Sequence, residues 1–278
     1  MKIYSWNIFF RNGKLERAFK FIKELDYDVL CLQEVPEEFL DKLRKLPVHI
    51  AFAPDVDRIY PERIERNFLV ILSRHPIVAH SAFALEVPFQ PLRTRLFAKA
   101  MRPIYWSRVR NRHGFFADIQ IEELPTPVRV FCLHLTLAHP EARRREFEIA
   151  MREYDATLPT IVCGDFNILD TPLVAPFNWL LGGRVSDALR YQRERAQFEE
   201  RIARLGLANP LNGKRTHLIS GQLDHILISQ NLSIESAHVV SERIGSDHYP
   251  IHVEIDIEMP YLAEKLETES LQQKVVRM

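Results

Sequence analysis

Residues 2–34 read KIYSWNIFFRNGKLERAFKFIKELDYDVLCLQE, and the fold class follows from the patterning of this stretch. Residues 2–8 (KIYSWNI) read as a strand. Leu15, Ala18, Phe19, Ile22 and Leu25 then recur at helical spacing, with Lys and Glu between them. Residues 28–34 (DVLCLQE) form a compact apolar strand that ends in polar residues. Strand, helix and strand in this order make a βαβ unit.

Working outward, further strands are expected at HIAFA (49–53), NFLVILS (67–73), GFFADIQIE (114–122), VRVFCLHL (128–135), TIVCGDF (160–166), LDHILIS (223–229) and IESAHVV (234–240). A last one runs over 249–257, where Ile251, Val253, Ile255 and Ile257 share one side. Helices are fewer. Pro140 opens one over 140–158, since proline suits a first helical turn, and a second spans roughly Asp187 to Leu205. Strands outnumber helices, so two packed sheets flanked by helices fit better than simple βα alternation.

The chain has 278 residues, 46 % of them apolar, enough for one large domain or two ordinary ones. With no repeat and no low-complexity linker, a single domain over 1–257 is the simplest division, and 258–278 reads as a tail or appended helix. Basic and acidic residues number 37 each, so any preference for a polyanion must be local. Nothing resembles a signal peptide and no run approaches the roughly 20 apolar residues of a membrane span. A cytoplasmic monomer is expected. Cys31, Cys132 and Cys163 each sit in an apolar run with no CxxC spacing, so reduced, buried strand residues are expected rather than a zinc site or a disulfide.

Polar residues gather at the strand ends. Asn7 closes the first strand, Glu34 follows LQ, His134 follows VRVFCL, Asp165 and Asn167 follow TIVCG, Asp224 opens LDHILIS, and Asp247-His248 precedes the last strand. Singly, each has an ordinary explanation as a turn residue, a cap, a solvated strand end or a hydrogen-bonded core histidine. Jointly they imply one site, because the strand ends of a sheet edge converge. Carboxylates, amides and imidazoles together suit a hard cation and a phosphate. Magnesium takes oxygen ligands and keeps several waters. An imidazole oriented by an acid can move a proton near neutral pH. Without an HExxH pair or a cysteine cluster, zinc ranks lower.

The ordered set SWN (5–7), LQE (32–34), ILSRHPI (71–77), HL (134–135), GDFN (164–167), LDHILIS (223–229) and SDHYP (246–250) resembles the endonuclease/exonuclease/phosphatase superfamily, the deoxyribonuclease I-like fold. The resemblance covers residues 3 to about 257. It implies an α/β four-layer sandwich of two packed mixed β-sheets flanked by helices, with the site at one edge of the sheets. It also implies roles. Glu34, helped by Asn7 and Asp247, would hold Mg²⁺, with Mn²⁺ as a substitute. Asp165 would orient or deprotonate the attacking water, and Asn167 would hold a phosphate oxygen. Asp224 would fix the tautomer of His248, and His134 would contact the phosphate or assist the leaving group; the resemblance leaves the general base open.

The branch stays open too. Val35-Pro36 after LQE, and a histidine at 134 where a tyrosine is usual, depart from the exonuclease III type. GDFN in place of GDTN departs from the tyrosyl-DNA phosphodiesterases, and Cys163 and LDHIL depart from the inositol polyphosphate 5-phosphatases.

Residues 93–113 carry seven Arg or Lys and no acid, with Phe97, Tyr105 and Trp106 among them. Such a segment can follow a nucleic-acid backbone and stack on bases. The expectation is a metal-dependent phosphodiesterase, endonuclease-like and acting on nucleic acid. The alternatives are a lipid head group or small phosphoester as substrate, and a non-catalytic phosphate-binding module. Asn67, Arg74, Arg108 and Arg112 are the substrate-binding candidates, whereas Arg143, Arg144 and Arg145 are expected mostly to face solvent.

Overall fold

Period-two alternation decides which side of each strand is buried and against what. In the computed structural model, which describes residues 1–60, 62–100 and 108–257, strand β1 (Lys2–Asn7) pairs in parallel with β2 (Val29–Pro36). Helix α1 (Leu15–Glu24) makes the crossover between them. With β3 (His49–Ile59), β4 (Ile64–Ser73), β6 (Arg108–Arg110), β12 (Ser233–Val239) and β13 (Ile251–Asp256) they form a seven-stranded mixed sheet ordered β12-β13-β1-β2-β4-β3-β6. The second sheet contains β5 (Ile77–Ala84), β7 (His113–Ile119), β8 (Val128–His134), β9 (Thr160–Asp165), β10 (Leu207–Ala208) and β11 (Asp224–Ser229). Its order is β10-β11-β9-β8-β7-β5, with only β8 and β9 parallel.

The sheets face each other across a core of Ile3, Val29, Cys31, Ile71, Phe115, Val130, Cys132, Ile161, Cys163, Ile226 and Ile251. The three cysteines are free and buried there, and burial raises the Cys31 and Cys132 thiols well above their ordinary pKa. On the outer side of the first sheet, Trp6, Leu30, Leu32 and Val70 pack on Ala18 and Ile22 of α1 and on Phe39, Leu40 and Leu43 of α2 (Glu37–Leu43). On the outer side of the second, Phe131, Leu133, Val162 and Leu227 pack on Phe147 and Ala150 of α4 (Pro140–Ala150) and on Phe198 and Ile202 of α7 (Gln192–Arg204). The fold is thus an α/β layered sandwich of two mixed sheets flanked by helices.

Some elements depart from the sequence expectation. The helix opened by Pro140 stops at Ala150 and continues as a single 3-10 turn, Met151–Glu153. The helix expected over 187–205 is two, α6 (Val185–Leu189) and α7. Strand β5 carries no apolar alternation to read because it is an edge strand with mostly exposed side chains. Residues 101–107 of the basic stretch and the expected tail 258–278 lie outside the described residues.

Candidate active site

The inward faces of β8, β9 and β11 are apolar for most of their length and turn polar at one end. On β8 the inward positions Val128, Val130 and Cys132 lead to His134; on β9, Ile161 and Cys163 lead to Asp165; on β11, Ile228 and Ile226 lead to Asp224. On β1, Ile3 and Ser5 lead to Asn7. Because these ends meet between the sheets, the site is the continuation of the core face into polar chemistry.

Two backbone features aim the side chains. Glu34 has φ 56° at a bulge between Leu32 and Val35, and Asn167 has φ 52°. Non-glycine residues in this left-handed region are uncommon and cluster at functional sites. Gly164 permits the close pairing of β8 and β9, since a Cβ there would stand 1.9 Å from the Leu133 carbonyl oxygen.

Asp165 Oδ2 is the hub. Asn7 Nδ2 donates to it at 3.0 Å and Asn167 Nδ2 at 3.3 Å. His248 Nε2 stands 3.6 Å away and His134 Nε2 3.8 Å away, while Asp165 Oδ1 accepts from the Asn167 amide at 2.9 Å. His248 Nδ1 is held by Asp224 at 2.9 and 3.0 Å, and its amide donates to Ser246 Oγ, which donates to the Asn7 carbonyl. Glu34 accepts from the Phe10 amide at 3.1 Å and from Arg58 at 3.0 Å, with Oε1 3.7 Å from His134 Nε2. Asp247 Oδ1 lies 3.9 Å from His248 Nε2. The strand-end residues read from the sequence therefore stand together.

Three members of the cluster carry no sequence signal of their own. Asp55, fully buried, holds His134 Nδ1 at 2.8 Å; Arg58 pairs with Glu34 and stacks over Phe10 at 3.9 Å. Pro54 at a β3 bulge was the available cue, since proline inside a strand marks such irregularities. His217 Nε2 lies 3.5 Å from Asp247 Oδ2. Its Nδ1 accepts from the Ile219 and Ser220 amides, so the neutral ring carries its proton on Nε2 and faces Asp247 as a donor.

The substrate-binding candidates mostly stand elsewhere. Arg74 pairs with Asp26 at the opposite sheet edge, beside Asp28. Arg112 is buried, with its guanidinium on Glu146 and on the His134 carbonyl. Asn67 is buried and donates to the Glu34 carbonyl at 3.3 Å, which supports the bulge. The Arg108 side chain lies outside what is described. Arg143, expected in solvent, is buried against Glu194 and Asn178, while Arg144 and Arg145 lie at the surface.

Burial works against charged imidazoles, and the carboxylates override it. Asp55, with Glu34 and Asp165 behind it, raises His134 to about 9. Asp224 and Asp165 raise His248 to about 10. Asp165 is raised as well, first by burial and then by Asp224, against the opposing effect of the two histidines.

The donor set suits a divalent cation. Glu34, Asp55, Asp165, Asp224 and Asp247 face three imidazoles, His134, His217 and His248, and the Arg58 guanidinium. Even with all three rings charged, one negative charge remains uncompensated, and Asp247 Oδ1 is buried without a hydrogen-bond partner. Among the described residues, two groups of side chains have atoms close enough to share an ion: Asp165, Asp224 and His248, and His217, Asp247 and His248. The first is already joined by its own hydrogen bonds. Glu34 belongs to neither, yet it offers the oxygen ligand that magnesium prefers.

The endonuclease/exonuclease/phosphatase family model matches residues 4–248. Among curated proteins none matches the chain. Solved structures share the fold. An endonuclease/exonuclease/phosphatase from Beutenbergia cavernae superposes with TM-score 0.65 at 18 % identity, covering 92 % of this chain and 71 % of that one. An AP endonuclease from Archaeoglobus fulgidus gives 0.59 at 17 %, covering 92 % and 100 %. A mannosyl-6-phosphatase from Bacteroides thetaiotaomicron gives 0.56 at 17 %, also covering 92 % and 100 %. With that model spanning the motifs from the first strand to His248, this chain belongs to the endonuclease/exonuclease/phosphatase family.

Proposed function

We propose that the protein is a metal-dependent phosphodiesterase that attacks phosphorus with water. The observation that carries this reading is the placement of Asp165: its buried Oδ2 lies 3.6 Å from His248 Nε2 and 3.8 Å from His134 Nε2, and each ring is fixed by its own carboxylate. A carboxylate with a raised pKa is the better base, so Asp165 takes the proton of the attacking water. His248, fixed by Asp224 through Nδ1, presents Nε2–H to a phosphoryl oxygen as charge develops there. His134, fixed by Asp55, donates the proton to the leaving oxygen. Asn167 steadies Asp165 and the phosphate. Glu34, Asn7 and Asp247 would hold Mg²⁺ or Mn²⁺, which when bound neutralises charge on a phosphoryl oxygen.

Nucleic acid is the first substrate reading, and the similarity to an AP endonuclease supports it. The basic stretch lends it less support than composition suggests. Arg112 pairs with Glu146, Arg110 with Asp57, and Arg93 donates to the Trp179 and Gly183 carbonyls. A second reading, a phosphoester carried at a lipid surface, is favoured by exposed apolar side chains among the remaining cations.

The test incubates purified protein with bis-p-nitrophenyl phosphate, single- and double-stranded DNA, and RNA, with Mg²⁺, Mn²⁺ or chelator, beside His248→Ala. Metal-dependent cleavage that the variant loses by roughly 10²-fold or more supports the reading. Equal rates in a folded variant, or turnover in chelator, would contradict it.

A further inference from the structure

Helix α3 (Leu92–Ala100) is built the wrong way round for a helix that only packs on its own protein. Leu92, Arg95, Leu96 and Lys99 follow one another at i, i+3, i+4 and i+7, and all four are exposed. A surface helix ordinarily turns such a leucine stripe to the core. Here the buried residue is Thr94, whose hydroxyl donates to the Leu180 carbonyl at 2.9 Å.

The helix does not stand alone. Phe97 meets Phe177 edge-on at 5.9 Å, and Arg93 donates to the Trp179 carbonyl at 2.9 Å, which joins α3 to α5 (Ala175–Leu180). The two neighbouring segments are exposed in the same manner. Phe89 is 85 % exposed, Leu92 68 %, Leu96 58 %, Leu173 70 % and Leu189 75 %, with Trp179 at 38 %. Scattered single apolar residues need no explanation, but a group this large on two packed segments does.

Charge selects the partner. Residues 87–100 and 171–186 contain no Asp or Glu, and Asp187, beside Leu189, accepts from the Arg184 amide, while Arg95, Lys99 and Arg184 are exposed among the apolar side chains. The same face of a second copy would bring like charges together with Asp187 the one acid between them. A nucleic-acid backbone would use the cations and leave the leucines without a function. We infer that this face docks on a membrane bearing anionic lipid, the partner that takes leucine, aromatic and cationic side chains at once.

The face is joined to the chain that leaves the candidate site. The 173–189 segment begins six residues after Asn167, and Asn178 Nδ2 ties it back to the Leu169 carbonyl at 3.1 Å. Docking would therefore present the site to phosphoesters at the membrane surface, which deepens the lipid-surface reading above and rests on it.

The experiment is sedimentation with phosphatidylcholine vesicles, plain or with about one-third phosphatidylserine, in chelator. Chelator keeps binding separate from turnover, so failure of the catalytic reading shows only in the diester assay. Wild type is expected to bind the anionic vesicles. Arg95→Gln with Lys99→Gln should weaken binding roughly 25-fold at low salt, about fivefold per cation. Phe89→Ser, Leu92→Ser and Leu96→Ser together should weaken it at least about tenfold while hydrolysis of soluble bis-p-nitrophenyl phosphate is unchanged. No vesicle binding, or equal binding by all three proteins, overturns the inference. So does binding of duplex DNA that the cation variant loses and the serine variant keeps, without vesicle binding, an outcome that assigns the face to nucleic acid.

Discussion

Replacing Asp55 with asparagine removes one buried charge and keeps a hydrogen-bonding group of the same shape. In the wild type, Asp55 Oδ2 lies 2.8 Å from His134 Nδ1, and His134 is raised to about 9. The same histidine in the unfolded chain titrates near 6.5. Because the folded value is the higher one, the stabilisation is complete below about pH 6.5 and is lost as pH rises through about 9. The difference of about 2.5 units, at about 1.4 kcal/mol each, corresponds to about 3 kcal/mol. That matches the range of roughly 3–5 kcal/mol for breaking a buried pair. In the variant, burial opposes the charged ring and only Glu34 and Asp165 are left to favour it, so His134 gives up its proton at a lower pH than in the wild type. Urea unfolding in chelator at about pH 6, 7.5 and 9.5 reads the effect directly. Asp55→Asn should be about 3 kcal/mol less stable near pH 6, with the gap closing above pH 9. Turnover of a soluble diester should fall roughly 10²-fold at pH 7 because the leaving group loses its acid. A variant with the wild-type pH slope and midpoint would refute the coupling.

Glu34→Gln should weaken Mn²⁺ binding at least about tenfold by calorimetry; an unchanged affinity would remove Glu34 from the ligand set. Arg112→Met should cost about 3 kcal/mol by leaving Glu146 buried and unpaired, with KM for a soluble diester unmoved. A raised KM at unaltered stability would instead put Arg112 on the substrate. Gly164→Ala should yield no folded protein, because its Cβ would meet the Leu133 carbonyl oxygen at 1.9 Å, and a wild-type melting curve would contradict that geometry.

What was legible in the sequence was whatever alternation reveals. β8, β9 and β11 each advertise an apolar inward face, so the polar residue that ends each face could be read in place, whereas Glu34 reaches the site through the bulge in β2 and not by alternation. Family resemblance added roles for these residues that alternation could not supply. The unread parts depend on tertiary contacts. Asp55 and Arg58 lie beyond the strand expected at 49–53; β3 runs on to Ile59 beside β4 and brings them to His134 and Glu34. Three consecutive arginines at 143–145 give no cue to which one turns inward; Arg143 does because Glu194 and Asn178 wait there from other elements. The basic stretch misleads for the same reason, since composition counts Arg112 as a free cation and folding gives it to Glu146.

Attack by water at phosphorus is read out by single-turnover hydrolysis of bis-p-nitrophenyl phosphate in ¹⁸O-water with Mg²⁺ or Mn²⁺, beside Asp165→Asn. Label is expected in p-nitrophenyl phosphate and none in the released phenol, with the rate strongly reduced in the variant. Label in the phenol, or undiminished turnover by Asp165→Asn, would contradict it.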